Sequence, residues 1–145
     1  MSYLKPIPTG ACLEYYGASA PSGYVMSDGL TIGSSASGAT SRANADTFSL
    51  FSLLWNSISN AYLNIQDSAG VNTTRGANAA ADFAANKRMP VPNSIDVFKR
   101  GAGAARTIGG VAYPTVNLGE TILDVMQGHK HNDYGHRHYT HGTVS

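Results

Sequence analysis

The sequence predicts an α+β fold, made mostly of short β-strands and irregular loops with one main helix. Across residues 5–33, short apolar pieces alternate with Pro and Gly, a pattern typical of short strands joined by tight turns. Only residues 47–63 have the extended apolar period of a helix. The chain has 145 residues, enough for one domain with a core of its own.

The first third of the chain is predicted to consist of turns and a short strand. Residues 20–23 (Ala-Pro-Ser-Gly) and 27–29 (Ser-Asp-Gly) indicate turns, and residues 24–26 between them indicate a strand. Residues 33–44 form a Gly/Ser/Ala-rich loop that is too poor in apolar residues to pack. The single cysteine, Cys12, excludes an intrachain disulfide and is predicted to be a small buried side chain.

The main helix is predicted over residues 47–63, with Asp46 or Thr47 as its N-cap. Its large apolar residues recur at spacings of three and four, so they share one stripe of the helix and are predicted to face the core. The stripe consists of Phe48, Phe51, Leu54, Trp55, Ile58 and Tyr62.

The second half of the chain predicts little regular structure. Residues 67–88 are polar and rich in Ala and Asn, with one helical turn expected around residues 79–85. Residues 89–103 combine a proline-stiffened extended stretch, a short strand and a glycine turn. Few large apolar residues follow up to Gln127, so a lone chain has a thin core. We therefore expect the chain to bury apolar surface against other copies of itself. Together with the histidine geometry described below, which needs three copies, this predicts an intertwined homotrimer with little folded monomer.

The composition excludes several classes of function. Charged residues make up 13% of the chain, roughly half the usual fraction, and the net charge is +1, so binding to nucleic acid is not expected. No apolar run is long enough to insert into a membrane, and the N-terminus has no secretory signal. The isolated carboxylates Asp28, Asp96 and Asp124 are predicted to be turn or cap residues. Because no nucleophile, base and orienting group occur together, the chain is not predicted to be an enzyme.

The five histidines are concentrated near the C-terminus, in the segment GHKHNDYGHRHYTHG at residues 128–142. In an extended chain, residues i and i+2 share a face and lie roughly 7 Å apart. The pairs His129/His131 and His136/His138 therefore each present two imidazoles on one face, while His141 breaks the alternation and is a minor candidate. The two pairs are seven residues apart, an odd number, so residues 132–135 must bend or bulge for both pairs to face one axis.

A metal site built from these pairs needs several chains. Three chains around an axis would give each pair six imidazole nitrogens, an octahedral set that suits Fe, Ni or Cu better than tetrahedral Zn. The alternatives are a solvated polar tail, a pH switch and a catalytic zinc site. The last would require an open coordination position, and the sequence has no HExxH-like pair on a helix.

The order of motifs along the chain resembles that of the phage tail-collar family. Residues 20–29 resemble the family's "aP.Gw..cdG" stretch, with Tyr24 where tryptophan is common, and residues 48–58 resemble its "L..ll...yG" helix. The later elements resemble "lPdlrgrF.rG" and "q.H.H". The matching segments are Pro8-Thr9-Gly10, Ala20-Pro21-Ser22-Gly23-Tyr24-Val25-Met26-Ser27-Asp28-Gly29, residues 48–58, Met89-Pro90-Val91-Pro92-Asn93, Val97-Phe98-Lys99-Arg100-Gly101 and Gln127-Gly128-His129-Lys130-His131.

The resemblance implies a collar-like head at residues 1–126 that leads into a His-rich, metal-bound extended segment at residues 127–145. It also implies Fe²⁺ as the metal, with another divalent transition metal as the alternative, held by His129, His131, His136 and His138 of three chains. The family's closing strand does not follow the histidines, which favours a fragment of a longer fibre protein.

The function implied is structural and receptor-binding. The expected partners are other copies in a homotrimer, other tail-fibre segments, and a bacterial surface receptor, either lipopolysaccharide or an outer-membrane protein. The protein would be made in the host cytoplasm and carried in the virion. The competing hypothesis is a metal-dependent hydrolase that acts on surface polysaccharide.

Overall fold

The fold is given by a computed structural model that describes residues 7–95, 97 and 101–121. Within these ranges it is a small α+β domain, as predicted, with few short strands and two α-helices. The elements are β1 (Thr31–Gly33), β2 (Arg42–Ala43), a 3-10 turn (Ala45–Thr47), α1 (Phe48–Ser57), α2 (Ala79–Ala84), β3 (Arg88–Pro90), β4 (Arg106–Ile108) and β5 (Val111–Tyr113).

A three-stranded sheet lies at the centre, in the order β2-β1-β3. β1 pairs parallel with β2, where Ile32 is opposite Arg42, and antiparallel with β3, where Ile32 is opposite Met89. Ile32 and Met89 are both fully buried, as expected where a central strand meets its neighbour. All three residues of β1 are buried, so this strand forms one side of the core.

The two helices pack against each other and complete the core, and α1 also contacts β1. The ring of Phe83 on α2 meets the rings of Phe48 and Phe51 on α1 edge to face, each at 5.2 Å between centroids. Edge-to-face contacts of this kind add to the stabilisation from burial. The buried apolar residues are Ile32, Phe51, Leu54, Ile58, Leu63, Ile65, Ala79, Met89 and Val91.

The main helix is real but shorter than predicted. It ends at Ser57, because Ile58 has extended backbone angles (φ −114°, ψ 130°). Tyr62 therefore lies beyond the helix, and its side chain is exposed, as is that of Phe48. The rest of the predicted stripe is buried or partly buried, which confirms its assignment to the core.

Of the two predicted caps of this helix, Thr47 occupies the N-cap position and Asp46 does not. Thr47 makes no side-chain cap; its hydroxyl instead donates to the carbonyl oxygens of Gly33 and Asn44, at 3.0 and 2.8 Å. The side chain of Asn44 caps the preceding 3-10 turn by accepting from the backbone NH of Asp46. The side-chain cap therefore belongs to the 3-10 turn in front of α1 and not to α1 itself.

The turn at residues 20–23 is confirmed, since the NH of Tyr24 donates to the carbonyl of Pro21 at 3.1 Å. The strand predicted at residues 24–26 is wrong, because this segment pairs with no other strand among the described residues. Just after this segment, the backbone of Asp28 forms an isolated antiparallel bridge with Asn93. The carboxylate of Asp28 also accepts from the NH of Leu30, which confirms its predicted turn role.

The loop predicted at residues 33–44 is more ordered than its composition suggested. Ser37 is completely buried, and its hydroxyl donates to the carbonyl of Ser34 at 2.6 Å. Arg42 and Ala43 form β2, so part of the loop belongs to the sheet. The prediction that this segment does not pack is therefore wrong, because small hydroxyl side chains can satisfy buried backbone without apolar bulk.

A β4–β5 hairpin was not predicted. Its strands pair with Ile108 opposite Val111, so Gly109 and Gly110 are the two loop residues. Both glycines have positive φ angles, 59° and 81°, as a tight type I′ turn requires. The helical turn expected around residues 79–85 is confirmed as α2, whose N-cap Asn78 accepts from the NH of Ala81.

The segment before the first strand has little internal structure. Residues 7–16, which we call the arm, contain no helix or strand, and the NH of Ala11 donates to the carbonyl of Pro8. Cys12 lies in the arm and is exposed. The prediction that Cys12 is buried is therefore wrong, because the arm stands apart from the core.

Candidate functional site

The predicted metal ligands His129, His131, His136 and His138, together with His141, lie outside the described residues. So do Asp96 and Asp124 and the whole His-rich segment at residues 127–145. Within residues 7–95, 97 and 101–121, no group of three or more His, Cys, Asp or Glu side chains is arranged to hold a metal. The sites described below therefore belong to the head alone.

The most elaborate polar site of the head is centred on Asp82, near the start of α2. One carboxylate oxygen accepts from the indole NH of Trp55 and from the backbone NH of Gly76, both at 2.8 Å. The other oxygen pairs with the ammonium of Lys87 at 2.7 Å. Asp82 is 2% exposed, so these three donors replace the water that its charge has lost. We call Asp82 with Trp55, Arg75, Gly76 and Lys87 the Asp82 cluster.

Arg75 ties this cluster to the end of α1. Its guanidinium lies over the ring of Trp55, 5.5 Å from the centroid, and donates to the carbonyl of Trp55 at 2.5 Å and to that of Leu63 at 3.3 Å. Burial lowers the pKa of Arg75, and the nearby charge of Asp82 opposes that effect. The buried Nε of Arg75 has no hydrogen-bond partner among the described residues. Arg75 therefore connects α1 to the segment that follows it.

The charge state of Asp82 is determined by two opposing effects. Burial favours the neutral carboxyl, while the hydrogen bonds from Lys87, Gly76 and Trp55 favour the carboxylate and hold the pKa of Asp82 below its ordinary value. The carboxylate is ionised at neutral pH, but its oxygens are occupied and shielded from solvent. This arrangement can stabilise the contact between the two helices, but it offers no free base for catalysis.

The Asp82 cluster was missed from the sequence because its members are far apart in the chain. Trp55 and Asp82 are separated by 27 positions, and their contact depends on how α1 packs on α2. No local spacing encodes that contact. The predicted burial of the helix stripe was the one signal that pointed to Trp55.

A shallow cleft of about 370 Å³ lies on another part of the surface. Arg42, at one edge, forms a bidentate ion pair with Asp46, with 2.9 Å between Nε and Oδ1. Since this pair has no net charge, the cleft presents hydroxyl groups and apolar carbons rather than a charged surface. Its lining residues are Ser19, Ala20, Pro21, Ser22, Tyr24, Val25, Met26, Leu30, Thr40, Ser41 and Arg42.

The head also exposes many large apolar side chains. In a protein that works as a monomer, clustered exposure of this kind is unusual and marks contact surfaces. The arm alone carries four of them. The exposed large apolar residues are Ile7, Leu13, Tyr15, Tyr16, Tyr24, Leu30, Phe48, Leu53, Tyr62, Val71, Ile95, Val97 and Leu118.

No protein-family model, curated protein or solved structure matches this chain. The class that the fold defines is thus a small α+β domain. The resemblance to the tail-collar family depends on the sequence motifs alone and stays a prediction. In the described part of the chain, no helix has the length and apolar character needed to cross a bilayer.

Proposed function

We propose that this protein is the collar-like head of a phage tail fibre, a trimeric structural module that takes part in attachment to the bacterial surface. The observation that carries the proposal is the order of the sequence motifs, ending in the Gly-His-x-His unit that occurs at residues 128–131 and again at residues 135–138. Each motif is weak alone, but their succession along nearly the whole chain is fairly specific. The protein would be carried in the virion after synthesis in the host.

The proposed metal site is a structural clamp between three chains. His129 and His131 from each chain supply six imidazole nitrogens, and His136 and His138 supply a second set. Six nitrogen donors fit an octahedral divalent transition metal, for which we propose Fe²⁺. A saturated coordination shell has no position for substrate, so the metal would hold the chains together and would not catalyse a reaction.

Two properties of the head support self-association. Among the described residues its apolar core is small, and many large apolar side chains remain exposed on a single copy. Burial of these side chains between copies would supply stabilisation that a lone copy lacks. Charged residues are few, at 13% of the chain, so contacts between copies or with a receptor would depend on neutral polar and apolar groups.

The receptor is proposed to be lipopolysaccharide or an outer-membrane protein. Surfaces rich in Ser, Asn, Gly and Tyr suit recognition by neutral hydrogen bonds, and three equivalent sites on a trimer bind more tightly than one. Other segments of the tail fibre are the remaining proposed partners.

Solution mass and metal content, measured together, test the proposal. Sedimentation equilibrium should give a trimer, and elemental analysis about one transition-metal ion per trimer for each His pair. A stable folded monomer at micromolar concentration would refute the trimeric head. A monomer that binds one metal and depolymerises bacterial surface polysaccharide would support the alternative, a metal-dependent hydrolase.

A further inference from the structure

We propose that the arm at residues 7–16 is a self-association element that packs on the surface of a neighbouring copy. This inference deepens the proposed function and depends on it, because it assigns a contact between copies of the proposed trimer. The surface that receives the arm is formed by Tyr62 and Leu118, which we call the receiving patch.

The arm has the composition of an interface and not of a solvated loop. Of its ten residues only Glu14 is charged, and four are large and apolar. Tyr16 is completely exposed, and Leu13 and Tyr15 are 57% and 54% exposed. Tyrosine is enriched in the cores of protein interfaces and charged residues are depleted there. The arm therefore presents to water a set of side chains that normally become buried.

The arm has few contacts with its own copy. Gly10 lies against Leu53 on the outer face of α1, so close that a Cβ atom at Gly10 would be 2.2 Å from the Leu53 side chain. The ring of Tyr15 lies back over the backbone of Gly17. These contacts anchor the middle of the arm and its end, and they leave the side chains of Leu13 and Tyr16 exposed.

The receiving patch is an exposed apolar surface outside the arm. The amide of Asn117 donates to the hydroxyl of Tyr62 at 3.0 Å, and Gly119 lies against Ile58 and Tyr62. Leu118 lies between these two contact points and is 52% exposed. A turn in which the NH of Glu120 donates to the carbonyl of Asn117 thus places the exposed Leu118 between two residues that contact Tyr62.

Symmetry favours a contact between the arm and the patch over a contact between two arms. In a closed ring of three copies, each contact joins two different surfaces. Burying Ile7, Leu13, Tyr15 and Tyr16 would remove on the order of 500 Å² of surface from water for each arm. Tyr62 and Leu118 of the receiving copy add to this area, but one arm contact stays below the roughly 1,200–2,000 Å² in total of a stable interface, so it would form one part of a larger contact between copies.

The first test compares two double variants of the full chain. In Leu13→Ser/Tyr16→Ser, we expect the concentration at which the trimer dissociates to rise at least tenfold. Val71→Ser/Ile95→Ser, which removes two other exposed apolar side chains outside the arm and the receiving patch, should leave it unchanged. Sedimentation equilibrium measures the mass, and fluorescence of Trp55 checks that each variant is folded. Equal dissociation of the arm variant and the wild type would overturn the proposal.

The second test does not depend on the stability of any variant. Cys12 is the only cysteine and is exposed in the arm, so Leu118→Cys adds a single thiol in the receiving patch. A short bismaleimide should then join chains to one another, with covalent trimers as the end product. Val71→Cys should give no cross-linked chains. Cross-links confined to one chain, or none, would overturn the proposal.

The outcomes separate this inference from the proposed function. A metal-containing wild-type trimer that gives no cross-linking between Cys12 and Leu118→Cys would refute the arm contact and leave the fibre head standing. A wild-type protein that is a stable folded monomer would refute both.

Discussion

Replacing Asp82 by Asn tests whether the Asp82 cluster holds the two helices together. The change keeps the shape of the side chain but removes its charge. In the better of its two orientations, the Asn oxygen still accepts from Trp55 and Gly76, while the amide NH₂ faces the ammonium of Lys87. Two donor groups then meet where an ion pair stood, so we expect Asp82→Asn to be strongly destabilising.

The magnitude follows from the burial of the pair. Removing one partner of a buried ion pair costs about 3–5 kcal/mol. The side chain of Lys87 is 21% accessible and also donates to the carbonyl of Thr74, so its ammonium keeps part of its solvation. We therefore expect the free energy of unfolding to fall by about 2–4 kcal/mol for Asp82→Asn. That is a large share of the roughly 5–15 kcal/mol that stabilises a typical domain.

The loss should depend on pH in a defined direction. The pKa of Asp82 in the fold lies below its ordinary value of 3.8. Stability contributed by a carboxylate of this kind is complete above the unfolded pKa and is lost as the pH falls through the folded one. The difference between the wild type and Asp82→Asn should therefore be largest at neutral pH and should shrink below pH 3.8.

Urea unfolding at equal protein concentration measures this effect. Trp55 is the only tryptophan and donates to Asp82, so its fluorescence reports on the cluster directly, while far-UV circular dichroism follows the helices independently. Asp46→Asn is the matched control, because it removes the charge of an exposed ion pair with Arg42 and should leave the midpoint unchanged. If Asp82→Asn unfolds at the wild-type midpoint, the assigned role of the cluster is wrong.

Three further predictions concern the core and the proposed clamp. Phe51→Ala, which empties a fully buried position beside Phe83, should lower the free energy of unfolding by about 3–5 kcal/mol in the same urea assay. His129→Ala/His131→Ala should remove about one metal ion per trimer, as measured by elemental analysis. Lys130→Ala should remove none, because residue 130 lies on the opposite face of an extended strand. Equal loss of metal in both variants would contradict the alternating geometry. Because metal-bound imidazole must be neutral, the melting temperature should be higher at pH 8 than at pH 5 and should fall on addition of a strong chelator. A melting temperature insensitive to both acid and chelator would count against the clamp.

The features that could be predicted from the sequence are those with a local cause. The apolar period from Phe48 to Ile58 determines the helix, because every third or fourth residue must face the same core. Its end at Ser57 could not be predicted, since Ile58 and Leu63 continue the apolar pattern, Ile58 from an extended backbone and Leu63 from the turn that follows. The spacing of apolar residues indicates which side chains are buried, but it does not indicate whether their backbone is helical.

The strands depend on partners that are distant in the sequence. β2 has only two residues, Arg42 and Ala43, and it forms because they pair with β1. No pattern within residues 33–44 indicates this pairing. The β4–β5 hairpin is different, since two glycines between apolar residues are a local hairpin signal that was overlooked. For Cys12 the prediction was wrong for another reason: cysteine is usually buried, but Cys12 lies in the arm, which does not pack into the core.

The same distinction separates the two candidate sites of this protein. The Asp82 cluster is complete within one chain, so every donor to its carboxylate can be named from the fold of a single copy. The proposed histidine clamp would need three copies, because one pair such as His129/His131 supplies only two of six nitrogens. The ligands of the proposed clamp would therefore come together only in the assembled trimer. The proposed arm contact is independent of the histidines, so it would associate the heads even where no metal is bound.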